Sequence, residues 1–146
     1  MMRRRQDAGY TLVELAVVVL VVGIIVAFGL PGLARSITTN NLHNSSQVLI
    51  GEMNLARQKA ITNSKQNWVW FATGGTTYWT LQSGEGWKGP FSLPSRVTIA
   101  NPNFSSLNYF WYGADGKPNT SGYVALVNTA GQRDTVNLDL SGSVWR

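Results

Sequence analysis

A single carboxylate and a preceding glycine carry the clearest chemistry in this sequence. Glu14 stands at the start of an uncharged run that extends over residues 15–34, and a carboxylate buried in lipid costs about 3 kcal/mol. A cut after Gly9 would give Tyr10 a new amino group, four residues before Glu14. The carboxylate of one chain could then pair with the Tyr10 amine of a neighbouring chain, which predicts a bundle of helices from several copies.

The other candidate groups do not form a catalytic or metal-binding set. His43 is the only histidine and there is no cysteine, so the sequence offers no Ser-His-Asp triad, two-histidine metal site or thiolate site. Four carboxylates fall in predicted turns or on an alternating strand, where solvated carboxylates are normal: Glu85, Asp115, Asp134 and Asp139. The sequence therefore predicts a protein that is not an enzyme and that binds neither a metal nor a cofactor.

The N-terminus has the order of a targeting segment. Arg3, Arg4 and Arg5 precede the uncharged run, and a run of about 20 apolar residues is long enough to cross a bilayer as a helix. Arginines at one end of such a helix stay on the cytoplasmic side. We expect a leader over residues 1–9 and a transmembrane, bundle-forming helix over residues 10–34.

This arrangement resembles the class III signal of type IV prepilins and type II secretion pseudopilins. The matching features are the three arginines, Gly9, a cut before Tyr10, and Glu14 as the fifth residue after the cut. Tyr10 stands where the family usually has Phe or Met. The resemblance implies cleavage between Gly9 and Tyr10 by a prepilin peptidase, N-methylation of Tyr10, and filament assembly through Glu14. It also implies a helix kink at Pro31, where pilins commonly carry a proline.

The resemblance further implies where the protein goes and what it meets. The precursor would cross the bacterial inner membrane once, and the mature subunit would enter a periplasmic or cell-surface filament. Its partners would be other pilins or pseudopilins, the prepilin peptidase, an inner-membrane assembly platform and the membrane itself.

The rest of the chain predicts how these residues are positioned. An amphipathic helix should continue over residues 35–64, because an apolar stripe recurs at helical spacing: Leu42, Leu49, Met53, Ala56 and Ala60. Residues 65–146 should form a β domain, with a hairpin at 68–81, loops at 83–86 and 88–90, and paired strands at 123–127 and 135–140. The predicted fold is α+β, with one long N-terminal helix packed on an antiparallel sheet or small β-sandwich.

The last third of the chain resembles the H-type minor pseudopilins and the FimT-like minor pilins. The match consists of Phe110, Asp115-Gly116, the two paired strands and Gly142, and it implies a minor subunit. FimT-like proteins include DNA receptors for natural transformation (competence), with a terminal Gly-Arg-x-Arg motif. Here Ser143 and Trp145 occupy the arginine positions.

A small DNA-binding surface is the sharper alternative for the β domain. Its candidate residues combine cations with one stacking ring: Arg133, Trp145, Arg146, Lys88 and Lys117. In the other interpretation these cations are solvated and Trp145 packs in the core. The sequence thus leaves open a type IV pilus subunit, a type II secretion pseudopilin, a DNA-uptake pilin and, outside the family, an untrimmed single-pass anchor of a β domain.

Overall fold

The structure, a computed structural model, describes residues 11–94 and 96–146, with the side chains of residues 29–35 excepted. In that part of the chain one helix precedes eight strands. The helix α1 covers Leu12–Asn63. The strands are β1 (Asn67–Phe71), β2 (Thr77–Gln82), β3 (Trp87–Ser92), β4 (Val97–Asn103), β5 (Tyr109–Tyr112), β6 (Gly122–Asn128), β7 (Arg133–Leu138) and β8 (Val144–Trp145). The predicted α+β class is confirmed.

The chain divides into two compact units, Met1–Ser36 and Ile37–Arg146. In the first unit, the side chains of residues 12–28 of α1 are exposed, and most of them are apolar. Among the residues that the structure describes, no helix is long and apolar enough to span a membrane. The predicted transmembrane segment, residues 10–34, includes Tyr10 and the side chains of 29–34, which lie outside the described residues.

The second unit contains two antiparallel, four-stranded sheets. The first sheet has the order β3-β2-β1-β5 and the second has the order β4-β6-β7-β8. The predicted hairpin is β1–β2, and the predicted pair of closing strands is β6–β7. Buried and half-exposed residues alternate along β1, β2, β5 and β7, because successive side chains point to opposite faces of a strand.

The loop predicted at residues 88–90 is wrong, because these residues lie inside β3. Gly89 and Pro90 led to that prediction, since both are rare inside sheets. However, β3 is an edge strand, all six of its residues are exposed, and its register with β2 shifts between Tyr78 and Thr80. A proline is tolerated at such an edge, where no further strand needs its missing N–H.

One hydrophobic core joins α1 to both sheets. The predicted stripe of α1 is buried as expected, and Leu49 and Met53 are both 0% exposed. They share the core with inward-facing residues of the first sheet, such as Phe71, and of the second sheet, such as Leu126. The helix therefore covers a core to which each sheet contributes one face.

A first polar anchor holds α1 near its C-terminal end. The guanidinium of Arg57 donates hydrogen bonds to the carbonyl oxygens of Gly116 at 3.0 Å, Gly142 at 3.2 Å and Ser141 at 3.1 Å. Gly142 has a positive φ of 83°, and a Cβ there would lie 2.9 Å from Arg57 Nε. A glycine is therefore required for the turn to approach the guanidinium so closely.

A second polar anchor surrounds Asp134, whose side chain is 8% exposed. Asp134 accepts a hydrogen bond from Ser46 Oγ at 2.7 Å and one from Arg146 Nε at 2.9 Å, and His43 Nδ1 lies 3.5 Å away. Burial alone raises the pKa of Asp134, but the hydrogen bonds from Ser46, Arg146 and His43 together outweigh it. The pKa therefore lies below its ordinary value.

We expect Arg57→Met to lower the free energy of unfolding by about 2 kcal/mol, because it leaves carbonyls of two turns without their charged donor. Lys59→Met, two residues along the same helix, is the charge-matched control and should cost less than about 1 kcal/mol. Urea denaturation of the full chain, followed by tryptophan fluorescence, measures both. Equal effects of the two substitutions would contradict the anchor.

Asp134→Asn should lower the free energy of unfolding by about 2 kcal/mol at pH 7. The substitution removes the negative charge that Ser46, Arg146 and His43 surround. The pKa of Asp134 is depressed in the folded chain, so its contribution is present above the unfolded-state pKa of about 4 and is lost as pH falls through the folded-state value. The difference between wild type and variant should therefore shrink from pH 7 to pH 3.

The exposed Asp115 provides the control for this pH dependence. Asp115→Asn should change stability by less than about 0.5 kcal/mol at either pH, because an asparagine oxygen can still accept the hydrogen bond from the Lys117 N–H. A difference between wild type and Asp134→Asn that is as large at pH 3 as at pH 7 would show that the carboxylate charge is irrelevant.

Candidate functional site

The start of α1 is built as a capped helix end. Thr11 Oγ1 accepts a hydrogen bond from the Glu14 N–H at 3.2 Å, and the Thr11 carbonyl accepts one from the Leu15 N–H at 3.2 Å. A threonine followed three residues later by glutamate is the sequence pattern of a capping box. The hydrogen bond from the Glu14 N–H to the Thr11 side chain is one half of that box. It pairs a backbone N–H of the first turn that has no acceptor within the helix.

This cap places the Glu14 carboxylate in the first turn of α1, where its side chain is exposed. A negative charge near a helix N-terminus is stabilised by the helix dipole, typically by about 0.5 kcal/mol. An exposed carboxylate in this position can form an ion pair with an ammonium group of another chain. Gly9 and Tyr10, the predicted cleavage and methylation residues, lie outside the described residues.

The predicted kink at Pro31 stays a prediction. The backbone of α1 is helical without interruption over Leu12–Asn63, which includes Pro31, while the side chain of Pro31 lies outside the described part. A proline inside a helix removes one backbone hydrogen bond and weakens the helix at that point.

The candidate DNA-binding residues lie on different elements. Arg133 is exposed at the start of β7, and Trp145 is 46% exposed on β8, opposite Asn137. Trp145 is therefore not a core residue, contrary to the alternative interpretation. Arg146 forms an ion pair with the buried Asp134 carboxylate. This ion pair partly neutralises the charge that Arg146 could offer to a phosphate.

The two lysines of this set lie elsewhere. Lys88 belongs to β3 of the first sheet and forms an ion pair with Glu85, Nζ to Oε2 2.7 Å. Lys117 follows β5 in an exposed loop, where its N–H donates to the Asp115 carboxylate at 3.1 Å. The structure thus places Arg133 and Trp145 on the second sheet, Lys88 on the first sheet and Lys117 in the loop that follows β5. DNA binding by this set stays a prediction.

Sequence reasoning missed the role of Asp134, which it treated as a solvated strand residue. The alternation of β7 was visible, and it puts Asp134 on the same face as Val136 and Leu138. An inward-facing carboxylate needs partners, so the pattern contained a usable signal. Within residues 11–94 and 96–146, no three histidine, aspartate or glutamate side chains converge as metal ligands.

Comparison with known families identifies the N-terminal segment. The prokaryotic N-terminal methylation motif matches residues 4–30, which contain Gly9, Tyr10 and Glu14. No curated protein matches this chain in sequence.

Comparison with solved structures finds proteins of the same fold. The type IV minor pilin FimU of Pseudomonas aeruginosa is similar, with a TM-score of 0.58 and 15% identity over 73% of this chain and 88% of that one. The minor pseudopilin EpsH of the Vibrio cholerae type II secretion system is also similar, with a TM-score of 0.57 and 12% identity over 73% of this chain and 92% of that one.

The motif and the fold support each other, because they are found in different parts of the chain. The motif ends at residue 30, whereas the two sheets begin only after α1 has ended at Asn63. The chain therefore carries the prokaryotic N-terminal methylation motif together with the fold of a minor pilin and a minor pseudopilin, which confirms the resemblance to the type IV pilin and pseudopilin family.

Proposed function

We propose that this chain is a minor pilin or pseudopilin that is trimmed before Tyr10 and assembled into a filament through α1. The observation that carries the proposal is the methylation motif over residues 4–30, joined directly to a helix that continues to Asn63. A helix whose first half exposes apolar side chains and whose second half is packed in its own domain needs another surface to cover the first half.

Other subunits of the same filament would provide that surface. In a bundle of such helices, the exposed apolar residues 12–28 would pack against their counterparts from neighbouring chains. The Glu14 carboxylate, which lies in the first turn of α1, would form an ion pair with the Tyr10 amine of a neighbouring subunit. The desolvation cost of a buried carboxylate would then be offset by an ion pair, and the pairing would define the axial offset between subunits.

Before assembly, the same residues would keep the precursor in the inner membrane, with the basic leader in the cytoplasm. A prepilin peptidase would cut between Gly9 and Tyr10 and methylate the new amine. An inner-membrane assembly platform would then move the subunit into a periplasmic pseudopilus or a cell-surface pilus.

Two other functions make different demands on the chain. A DNA-uptake pilin would need the exposed Arg133 and Trp145 on the second sheet to bind phosphate and base, and its affinity would fall steeply with salt. An untrimmed membrane anchor would need neither the cut nor the Glu14 pairing.

The intact mass of the protein from its native membrane should correspond to a chain that starts at Tyr10 and carries one added methyl group. Gly9→Leu should leave the leader in place, because the peptidase would meet a large side chain beside the scissile bond. Gly23→Ala is the matched control and should be processed normally, since a Cβ at Gly23 has nothing within 4 Å. A wild-type chain that keeps Arg3 and Gly9 would mean an untrimmed anchor.

Glu14→Gln should still be trimmed but should enter filaments at least about tenfold less efficiently, because the amide cannot neutralise the Tyr10 amine. Glu52→Gln, in the second half of α1, is the control and should assemble normally. The measurement is the amount of each variant that co-purifies with sheared filaments, or that crosslinks to other subunits of a pseudopilus. Normal incorporation of Glu14→Gln would contradict the pairing.

A further inference from the structure

The outward face of the first sheet carries most of the tryptophans of the chain. We call it the tryptophan face, and its tryptophans are Trp68, Trp70, Trp79, Trp87 and Trp111. The strand alternation explains why they share one side, because the intervening residues of β1, β2 and β5 are buried. None of the five is buried, and Trp87 is 55% exposed. The other four are half-buried, so the face presents a partly exposed aromatic surface, and apolar surface of this kind is typical of interaction sites.

The rings of this face are held in place by cross-strand pairing. Trp70 lies directly opposite Trp79, with ring centroids 4.6 Å apart. Trp68 lies directly opposite Trp111, with ring centroids 4.4 Å apart. Such contacts restrict ring rotation, so a ligand that stacks on them loses little side-chain entropy on binding.

Part of the tryptophan face is concave. Trp70, Trp79 and Trp87 line an open groove of about 370 Å³, which is within the size range of small-molecule sites. Gly89 helps to shape it, since a Cβ at this residue would lie 3.1 Å from Trp79 Cδ1 and 3.1 Å from the Tyr78 carbonyl oxygen. The positive φ of Gly89, 126°, also disfavours any other residue. The indole of Trp79 can therefore lie against β3.

Charge indicates which ligands suit this groove. Its three lining residues are uncharged. Lys88 and Glu85, the charges nearest in sequence, form an ion pair at 2.7 Å, but Lys88 lies opposite the buried Thr80 and therefore on the other face of the sheet from Trp87. A hydrogen bond from Lys88 lowers the pKa of Glu85, and Lys65 and Lys59 act in the same direction. Lys65 Nζ lies against the β2–β3 turn, 3.6 Å from where a Cβ of Gly84 would be. A groove lined only by uncharged side chains favours a neutral ligand over a polyanion or a cation.

We propose that Trp70, Trp79 and Trp87 form a binding site for a neutral polysaccharide, whose pyranose rings stack on the indoles. The C–H groups on one face of a pyranose are weakly positive, and the face of an indole carries negative charge, so the two attract each other. This site lies outside the N-terminal motif, and it functions independently of trimming and assembly.

The test is isothermal titration calorimetry of the full-length, detergent-solubilised chain with neutral hexasaccharides of glucose, N-acetylglucosamine, mannose and galactose. At least one should bind saturably, and Trp87→Ala should weaken that binding by at least about tenfold, because a stacking ring is lost. Trp87 lies on an exposed edge strand, so its removal should leave the fold intact, as circular dichroism will show. Trp70→Leu is a second variant of the same groove and should act in the same direction.

Trp145→Ala is the matched control, since Trp145 is 46% exposed but lies on the second sheet, and it should bind the sugar like wild type. Three results would overturn the proposal. One is no binding of any of the hexasaccharides at millimolar concentration. Another is Trp87-dependent binding of oligothymidylate that falls steeply with salt, which would assign the groove to nucleic acid. The third is self-association that Trp87→Ala abolishes without any sugar binding, which would assign it to a second subunit.

Discussion

The burial of one stripe of α1 is the constraint on which the rest of the β domain depends. Leu49 and Met53 are fully buried in a core that receives side chains from both sheets. Among the described elements α1 is the only helix that packs against the inner faces of the sheets. A sheet with one uncovered apolar face would be unstable in water, so the helix is a structural part of the domain as well as a candidate assembly element.

Two polar contacts then define how the helix lies on the sheets. Hydrophobic burial is not directional, so it distinguishes less sharply between neighbouring positions of a helix on an apolar surface than hydrogen bonds do. Hydrogen bonds require particular distances and angles. Arg57 ties one end of the buried helical segment to the turns at Gly116 and Gly142, while Ser46 ties the other end to Asp134. The two contacts together select one register for the packed helix.

The alternation of the strands has consequences on both faces of the first sheet. The same periodicity that buries Phe71 and Phe110 turns Trp70 and Trp79 outward. Large aromatic side chains on an outer face are compatible with folding because they pack on one another across the strands. They nevertheless leave an apolar surface in contact with water, which is the physical basis for assigning a ligand to that face.

The sequence by itself determined those features that depend on neighbouring residues or on a simple period. The N-terminal motif is read by position along the chain, since the leader, Gly9 and Glu14 need no tertiary contact to be recognised. The stripe at Leu42 to Ala60 and the strand around Val136 follow periods of 3.6 and 2, so their burial was predictable. The strand around Trp70 was predictable as a strand, but its run of apolar residues did not indicate which of them face outward. Local capping by Thr11 belongs to the same class.

Only the tertiary structure decided which distant residues meet. Asp134 lies 88 positions from Ser46 in sequence, and no local pattern indicates that the two share a hydrogen bond. The strand at residues 87–92 was hidden by Gly89 and Pro90, because an edge strand is formed by its pairing partner more than by its own propensity. The tryptophan groove likewise depends on the order β3-β2-β1. Contacts between remote segments depend on the whole arrangement of the core, which a single sequence does not specify locally.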